Sequence, residues 1–367
     1  MGLRKLPKKG SRREVQLKIE YPTADKKQLR KWAKEFGFSS VTNFMSAVRD
    51  NLKLKRIRQA EVIDTDSEVV VNLPAITLNE YKGPRTGKGD EEVAVLLASD
   101  GHAGKITKSY DEDVYNMRMD ELFNSLMTII TLHRHMYPIK KLVVLNLGDN
   151  IQGENPFQGS KIGTASMGAR DQTVKIAFPA WVKLIGSLKQ EFEEIEFHGF
   201  GGNHGHERLA PETSREDFRL YDLLQAYFTG LGNTKISIEI YEEFADIVRI
   251  NGFKFFCFHG DGIPCQQGVP FFALDKKLKS WYMQCGGFSY ACGGHFHKRH
   301  TDEVSSKFEY FMNASMVSDD SWALKKLGIS SSPSQWVLGV HPRHGVTYRY
   351  PLIVDYKFLP EKLGSEK

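Results

Sequence analysis

From Glu91 onward the chain alternates short apolar runs with amphipathic segments. Five runs predict buried strands, and they are Val93–Ala98, Leu142–Leu147, Ile195–Phe200, Phe253–Phe258 and Phe288–Cys292. Continuous apolar runs of this length are typical of strands that are covered on both faces. Strands that alternate with helices indicate a layered α/β domain.

Two segments between these runs carry apolar residues at the three- and four-residue spacing of a helix. The first places Met119, Leu122 and Leu126 on one face and ends before Pro138. The second, residues 215–230, repeats the pattern. Because this spacing puts the apolar side chains on a single stripe, both segments are predicted to be helices that pack on the sheet.

The composition indicates a soluble protein. Hydrophobic residues make up 41% of the chain and charged residues 26%, which is ordinary for a globular domain. No run of 18 apolar residues is present, which argues against a membrane span, and the basic start lacks the apolar core of a secretory signal. We therefore expect a cytoplasmic location. The four cysteines form no Cys-x-x-Cys pair, so reduced structural thiols are expected rather than a zinc site.

Charge is distributed unevenly along the chain. Residues 1–60 contain 17 Lys/Arg and 5 Asp/Glu, a net charge of +12, whereas residues 61–367 carry a net charge of −7. The length of 367 residues also favours more than one domain. We predict a basic domain at residues 1–60, a linker at 61–90, where a turn-rich run follows one strand candidate, and a main domain at 91–367.

The basic segment has a pattern of its own. A short alternating strand around Val15–Ile19 is followed by two helix candidates separated at Gly37, and this order resembles the ribbon-helix-helix DNA-binding fold. That resemblance implies a homodimer in which the strands of two chains read the major groove. A helix-turn-helix over residues 26–52 and a helical appendage that only mediates oligomerisation are the alternatives. The candidate DNA contacts are Gln16 and Lys18 for bases and Lys53, Lys55, Arg56 and Arg58 for phosphates.

Each predicted strand of the main domain leads into residues that commonly bind metals. In chain order these residues are Asp100 and His102, Asp149, Asn203 and His204, His259, and His295 and His297. The carboxyl ends of strands are where α/β proteins build their sites, and a glycine beside each group allows a sharp turn. Imidazole, carboxylate and amide ligands suit borderline divalent ions. One such motif alone means little, but five in order predict a metal centre.

The ordered set Asp-x-His, Gly-Asp, Gly-Asn-His, His and Gly-His-x-His, spanning residues 100–297, resembles the signature of the calcineurin-like metallophosphoesterase superfamily. The resemblance implies an α/β fold with two sheets in a sandwich, helices outside and two divalent metal ions at one edge. Manganese is the first choice of metal, with iron, zinc or magnesium as alternatives. The implied ligands of one ion are Asp100, His102, Asp149 and His297, and those of the other are Asp149, Asn203, His259 and His295.

The resemblance also implies a role for His204, which would not bind metal but would donate a proton to the leaving oxygen or stabilise the transition state. Many members of the superfamily follow the Asn-His pair with an acidic residue that orients this histidine. Here Gly205 follows, and then His206 and Glu207. The orienting partner is therefore Glu207 or His206 at a shifted position, or there is no acidic partner.

The expected activity is the hydrolysis of phosphodiester bonds. Two adjacent ions can hold a phosphoryl group and lower the pKa of a water molecule, whose hydroxide then attacks phosphorus. The basic segment favours a DNA nuclease similar to the DNA-repair exonuclease branch of the superfamily, and residues 335–355 resemble phosphoesterases carried by bacteriophages. That origin would place the protein in a bacterial or phage-infected cytoplasm. A phosphatase or a small-molecule or cyclic-nucleotide phosphodiesterase is the alternative, a non-catalytic scaffold is a remote one, and a partner ATPase is left open.

Overall fold

The computed structural model describes residues 87–154, 164–206, 213–232, 234–264, 271–319 and 332–358, together with the short segments 19–20, 68–69, 71–74, 76 and 210–211. The chain divides into two compact units, Met1–Thr77 and Leu78–Lys367. In the first unit, strand β1 (Ile19–Glu20) pairs antiparallel with strand β2 (Glu68–Val69). The predicted domain boundaries remain a prediction. The predicted DNA contacts lie outside the described residues, and they are Gln16, Lys18, Lys53, Lys55, Arg56 and Arg58.

The second unit alternates strands and helices as the sequence predicts. Its elements are β3 (Val93–Ala98), α1 (Glu112–Arg134), β4 (Lys141–Asn146), α2 (Phe178–Glu191), β5 (Glu194–Phe200), α3 (Glu216–Gly230), β6 (Ile236–Tyr241), β7 (Ala245–Ile250), β8 (Phe253–Phe258), α4 (Phe271–Gln284), β9 (Tyr290–Gly293), β10 (His300–Ser305), β11 (Phe308–Met312), β12 (Ser334–His341) and β13 (Gly345–Ile353). All five predicted strands and both predicted helices are confirmed, and the strand bounds differ from the prediction by at most two residues.

The strands of this unit form two mixed sheets. The six-stranded sheet has the order β13-β12-β3-β4-β5-β6, in which β3 to β6 are parallel and β12 and β13 are antiparallel. The five-stranded sheet has the order β10-β11-β9-β8-β7, with a parallel centre formed by β11, β9 and β8. The predicted α/β class with two sheets flanked by helices is confirmed.

The main core lies between the two sheets. Alternate residues of β3, Val93, Val95 and Leu97, belong to the same buried cluster as Phe255 and Cys257 of β8 in the other sheet. Helices α1, α2 and α3 pack on one another and on strands of the six-stranded sheet, and α4 packs on the outer face of the five-stranded sheet. Because both sheets are covered, their central strands tolerate almost no polar side chain, which is why they read as continuous apolar runs.

Local chemistry explains where two of the helices begin. The carboxylate of Asp111 caps α1 by accepting a hydrogen bond of 2.9 Å from the backbone N–H of Val114, as an N-terminal cap does. A π-helical turn, Gln172–Ala177, precedes α2, and Pro179 is the second residue of α2. Proline has no N–H to donate and its ring displaces the carbonyl of the preceding turn, so the wider π turn relieves that clash.

Two expectations from composition can be compared with the structure. Within the described ranges, no helix combines the length and the apolar character needed to cross a membrane. Cys257, Cys285 and Cys292 are free thiols, as expected, and Cys285 is exposed whereas the other two are buried. Cys265 lies outside the described residues.

Candidate metal centre

The predicted metal ligands meet at one edge of the two sheets. The parallel strands β3, β4 and β5 end beside one another and carry Asp100, His102, Asp149, Asn203 and His204 in the loops after them. The parallel strands β8 and β9 of the other sheet end at the same place and are followed by His259, His295 and His297. The structure thus brings all eight predicted residues together, although up to 197 positions separate them along the chain.

The backbone of the centre adopts conformations that are uncommon for residues with a side chain. Asp100, His102, Asp149, His295 and His297 have φ angles of 52°, 46°, 56°, 70° and 52°. A left-handed conformation costs a non-glycine residue on the order of 1–3 kcal/mol and is kept only where the surroundings enforce it. Five such residues in one cluster therefore indicate a site whose geometry is maintained for function.

Asp100, His102 and His297 form the first group of ligand atoms. The Nε2 atoms of His102 and His297 are 2.9 Å apart, and Nε2 of His297 is 3.3 Å from Oδ1 of Asp100. The carboxylate of Asp100 also accepts hydrogen bonds from the hydroxyl of Ser99 and from the backbone N–H of His295. These bonds fix the carboxylate while its Oδ1 remains 3.3 Å from Nε2 of His297 and 3.9 Å from Nε2 of His102.

Asp149, His259 and His295 form the second group, and Asn203 lies within it. The side-chain oxygen of Asn203 is 2.9 Å from Nδ1 of His295 and 3.1 Å from Nε2 of His259. Nδ1 of His259 donates to the carbonyl of Leu147 at 2.7 Å, so its Nε2 is left to face the centre. A backbone carbonyl that holds one ring nitrogen of a histidine is the usual way to orient a metal-binding imidazole.

Asp149 lies between the two groups, and its surroundings provide a test of whether a cation fits. Its ligand atom is within 4.8 Å of those of His102 and His204, and also of those of His259 and His295. Within the described part of the chain, Oδ2 of Asp149 is buried and accepts no hydrogen bond, although Nε2 of His259 is 3.1 Å away. A buried carboxylate is costly unless a cation neutralises it, and here the positive charge can come from protonated His259 or from a metal ion in the place of its proton. The donor set therefore fits divalent metal ions on either side of Asp149.

His204 is oriented by a backbone carbonyl. Its Nδ1 donates to the carbonyl of Gln152 at 2.8 Å, and its Nε2 faces the centre, 4.0 Å from Oδ2 of Asp149. The Gln152 segment is fixed in turn by Gln172 of the π turn, whose side-chain oxygen accepts from the N–H of Gly153 at 2.9 Å. Of the two sequence candidates for this orienting role, Glu207 lies outside the described residues, and the ring of His206 bonds instead to the carbonyls of residues 210 and 211.

Two glycines let the loops after β4 and β5 approach each other closely. A Cβ atom on Gly148, which has a φ of 88°, would lie 2.3 Å from the backbone nitrogen of Gly202. A Cβ atom on Gly202 would lie 2.1 Å from Oδ1 of Asp149. The N–H of His204 also donates to that Oδ1 at 2.7 Å. The two loops are therefore in direct backbone contact, and this contact sets the distance between Asp149 and Asn203.

The carboxylates and imidazoles of the centre shift one another's pKa values. Burial lowers the pKa of His259, but the negative charge of Asp149 outweighs it and raises that pKa to about 10. Burial and the positive charge of His259 lower the pKa of His295 to about 4. Burial alone would raise the pKa of Asp149, but His259 and His204 hold it well below its usual range. A metal ion can take the place of the proton on His259 and keep the carboxylate neutralised.

Sequence reasoning missed three residues that contribute to the centre. Lys105 is 8% exposed, and its positive charge adds to burial in lowering the pKa of both His102 and His204. Gln152 and Asp217 act on the loops through backbone groups. Lys105 could have been noticed from its position three residues after His102, but the other two belong to no metal-binding motif.

Fold and site together define an α/β protein with a candidate metal centre at the edge of two packed sheets. No protein-family model and no curated protein matches the sequence. Among solved structures, Vps29 from Cryptosporidium parvum is 14% identical, with 68% of this chain and 86% of that chain covered and a TM-score of 0.32.

Two other solved structures are similar at the same level. A predicted phosphoesterase from Streptococcus pneumoniae TIGR4 is 12% identical over 71% of this chain and 98% of that chain, with a TM-score of 0.28. The 5'-nucleotidase from Candida albicans SC5314 is 10% identical over 75% of this chain and 54% of that chain, with a TM-score of 0.35. At TM-scores this low the similarity supports no inference about activity, so the residues of the site must carry one.

Proposed function

We propose that the chain is a dinuclear metal-dependent phosphoesterase. The observation that carries this proposal is the meeting of two ligand groups, in which Asp149 of the second group also lies close to His102 of the first, with His204 beside them. Asp100, His102 and His297 would hold one ion with Asp149. Asn203, His259 and His295 would hold the other, and Asp149 would bridge. Manganese, iron and zinc suit this mixed nitrogen and oxygen donor set, whereas magnesium, the remaining alternative, prefers a shell of oxygen ligands.

The bound ions would polarise the phosphoryl oxygens and lower the pKa of a bound water molecule. The protein itself contributes His204, which is placed to meet the negative charge that develops on the leaving oxygen. Because Nδ1 of His204 already carries the hydrogen that it donates to Gln152, Nε2 can donate a proton only from the imidazolium form. Burial lowers the pKa of His204 and disfavours that form, whereas the charge of Asp149 favours it.

The substrate that we propose is DNA, cleaved in the manner of an exonuclease. The support is the net charge of +12 on residues 1–60, because a basic segment in a phosphodiesterase chain provides phosphate contacts. Residues 61–367 carry a net charge of −7, and this observation favours the second candidate, a phosphatase or a small-molecule phosphodiesterase. The two candidates share the chemistry of the centre and differ in the substrate that it would act on.

The first experiment tests the chemistry. Purified full-length protein with Mn²⁺ is assayed on bis-p-nitrophenyl phosphate, and Asp149→Asn and His204→Ala are compared with it. We expect Asp149→Asn to lose both bound metal and activity, and His204→Ala to keep the metal and lose about 100-fold or more of the turnover. His198→Ala serves as the control, because His198 lies on β5, the strand that leads into the loop with His204, but contacts Tyr241 instead. Full activity of Asp149→Asn would contradict the assignment.

A second experiment tests the substrate. Linear duplex, single-stranded and circular DNA are compared with cyclic nucleotides, and an exonuclease should cleave linear DNA and leave circles intact. In the full chain, replacing the four cations Lys53, Lys55, Arg56 and Arg58 by glutamine should reduce the salt dependence of DNA binding, since up to about four phosphate contacts are lost. The same variant should hydrolyse bis-p-nitrophenyl phosphate normally. Unchanged DNA binding would rule out this segment as the DNA contact.

A further inference from the structure

Asp217 lies beneath the two loops that carry Asp149 and Asn203. It is the second residue of α3 and is only 1% exposed. Its Oδ2 accepts hydrogen bonds from the backbone N–H groups of Asp149 at 3.1 Å and of Gly202 at 2.8 Å. Its Oδ1 accepts from the backbone N–H of Asn150 at 3.0 Å and from the side-chain amide of Asn150 at 2.7 Å. One carboxylate therefore joins both loops through four hydrogen bonds.

The two residues before Asp217 bind carbonyl groups of the loop that carries Asn203. The guanidinium of Arg215 donates to the carbonyl of Gly202, and the N–H of Glu216 donates to the carbonyl of Gly205 at 3.2 Å. Gly202 is thus bound at its N–H by Asp217 and at its carbonyl by Arg215. Three consecutive residues at the start of α3 therefore fix the backbone on both sides of Asn203 and His204.

A buried carboxylate is costly unless its oxygens accept several hydrogen bonds, and bonds of N–H groups to a charged acceptor are stronger than neutral ones. The four hydrogen bonds that Asp217 accepts all come from the two loops that carry Asp149 and Asn203. Separation of the loops would break the bonds to one of them, so the carboxylate resists any change in the distance between Asp149 and Asn203. Groups that hold metal ligands from behind commonly change metal affinity when they are replaced.

We propose that Asp217 is a positioning residue that sets the spacing of the two metal sites, with Arg215 as its auxiliary. The proposal rests on the proposed function, because it assumes that Asp149 and Asn203 bind metal. Asp217 touches no substrate in this view. It acts through the backbone of Asp149 and Gly202. Its replacement should lower the affinity for metal, which loss of a purely structural contact would not do.

The test uses the full-length variant Asp217→Asn. An asparagine has a single acceptor oxygen, so its NH2 group must face either the N–H groups of Asp149 and Gly202 or the N–H of Asn150, and all of these are donors. Tyr221→Phe is the matched control: Tyr221 lies one turn later in α3 and is fully buried, but its hydroxyl bonds to the side chains of Asn146 and Asn150 and to the carbonyl of Phe200. Arg215→Met, at a half-buried position, provides a second variant with less risk to folding.

Mn²⁺ binding is measured by calorimetry, stability by thermal unfolding with EDTA, and turnover with bis-p-nitrophenyl phosphate. We expect Asp217→Asn to bind at least one Mn²⁺ about 10–100-fold more weakly, and Arg215→Met to show a smaller loss in the same direction. Tyr221→Phe should lose stability but keep the wild-type affinity. Equal Mn²⁺ affinity of Asp217→Asn and the wild type, or an equal loss in Tyr221→Phe, would overturn the proposal. A wild-type protein that binds no metal would instead overturn the proposed function.

Discussion

The variant Gly202→Ala tests how closely the loops that carry Asp149 and Asn203 must approach each other. The Cβ atom of Gly202→Ala would lie 2.1 Å from Oδ1 and 2.3 Å from the backbone nitrogen of Asp149, whereas ordinary contacts begin at 3.4 Å. The neighbouring atoms belong to backbone and to a buried carboxylate, so they cannot rotate away. The loops would have to separate by more than about 1 Å, and a displacement of this size between reacting groups costs about 100-fold in rate.

We therefore predict that Gly202→Ala lowers kcat/KM for bis-p-nitrophenyl phosphate by about 100-fold, with weaker binding of Mn²⁺. Gly230→Ala is the control, since Gly230 ends α3 and a Cβ atom there would meet nothing within 4 Å. It should keep full activity and gain about 0.4–1 kcal/mol of stability, because alanine restricts the unfolded chain. If Gly202→Ala is as active as Gly230→Ala, the contact between the loops does not set the geometry of the centre.

Three further predictions concern residues around the centre and in the fold. Asp355→Asn should lower the free energy of unfolding in urea by about 3–5 kcal/mol, since it leaves the buried Arg118 without the carboxylate that lies 2.7 Å away. Lys105→Met should weaken inhibition by inorganic phosphate, and Lys105→Arg should restore it in part, because the positive charge of this residue reaches the centre. His198, 3.8 Å from the Glu196 carboxylate, and the ammonium of Lys141, 2.5 Å from it, lower the pKa of Glu196 from 4.5 to about 2, so the stabilisation by Glu196 is present above pH 4.5 and is lost as the pH falls towards 2. Glu196→Gln should flatten the stability curve in that window, and an unchanged curve would contradict the assigned cause.

The strands that the sequence predicts are those buried on both faces. Val93–Ala98 and Phe253–Phe258 are found with the predicted bounds, because the first has no polar residue and the second only Lys254, and such runs are typical of strands inside a layered fold. Strands such as His300–Ser305, which lies at an edge of the five-stranded sheet and carries charged residues, give no comparable signal. The helix after β4 was also missed, because Pro179 interrupts its pattern and the π turn before it shifts the register.

The residues that meet in the candidate metal centre were predictable because their side-chain types and their places at strand ends are visible in the sequence. The residues that hold them in position were not predictable. Asp217 is one acidic residue among many at a helix start, and only the fold shows that its four donors belong to Asp149, Asn150 and Gly202. Long-range contacts of this kind produce no periodicity or fixed spacing, so they cannot be predicted from a single sequence.

The orientation of His204 depends on a backbone group, which no sequence pattern could indicate. Every residue has a carbonyl, so nothing in the sequence could mark Gln152 as the partner of Nδ1. A carbonyl also differs from a carboxylate in effect, because it fixes the tautomer without adding a full negative charge that would stabilise the imidazolium. If the chain has the proposed phosphoesterase activity, the protonated form of His204 would therefore depend on Asp149 and on the phosphate of a bound substrate. Proton donation would then be coupled to the presence of an anionic substrate in the centre.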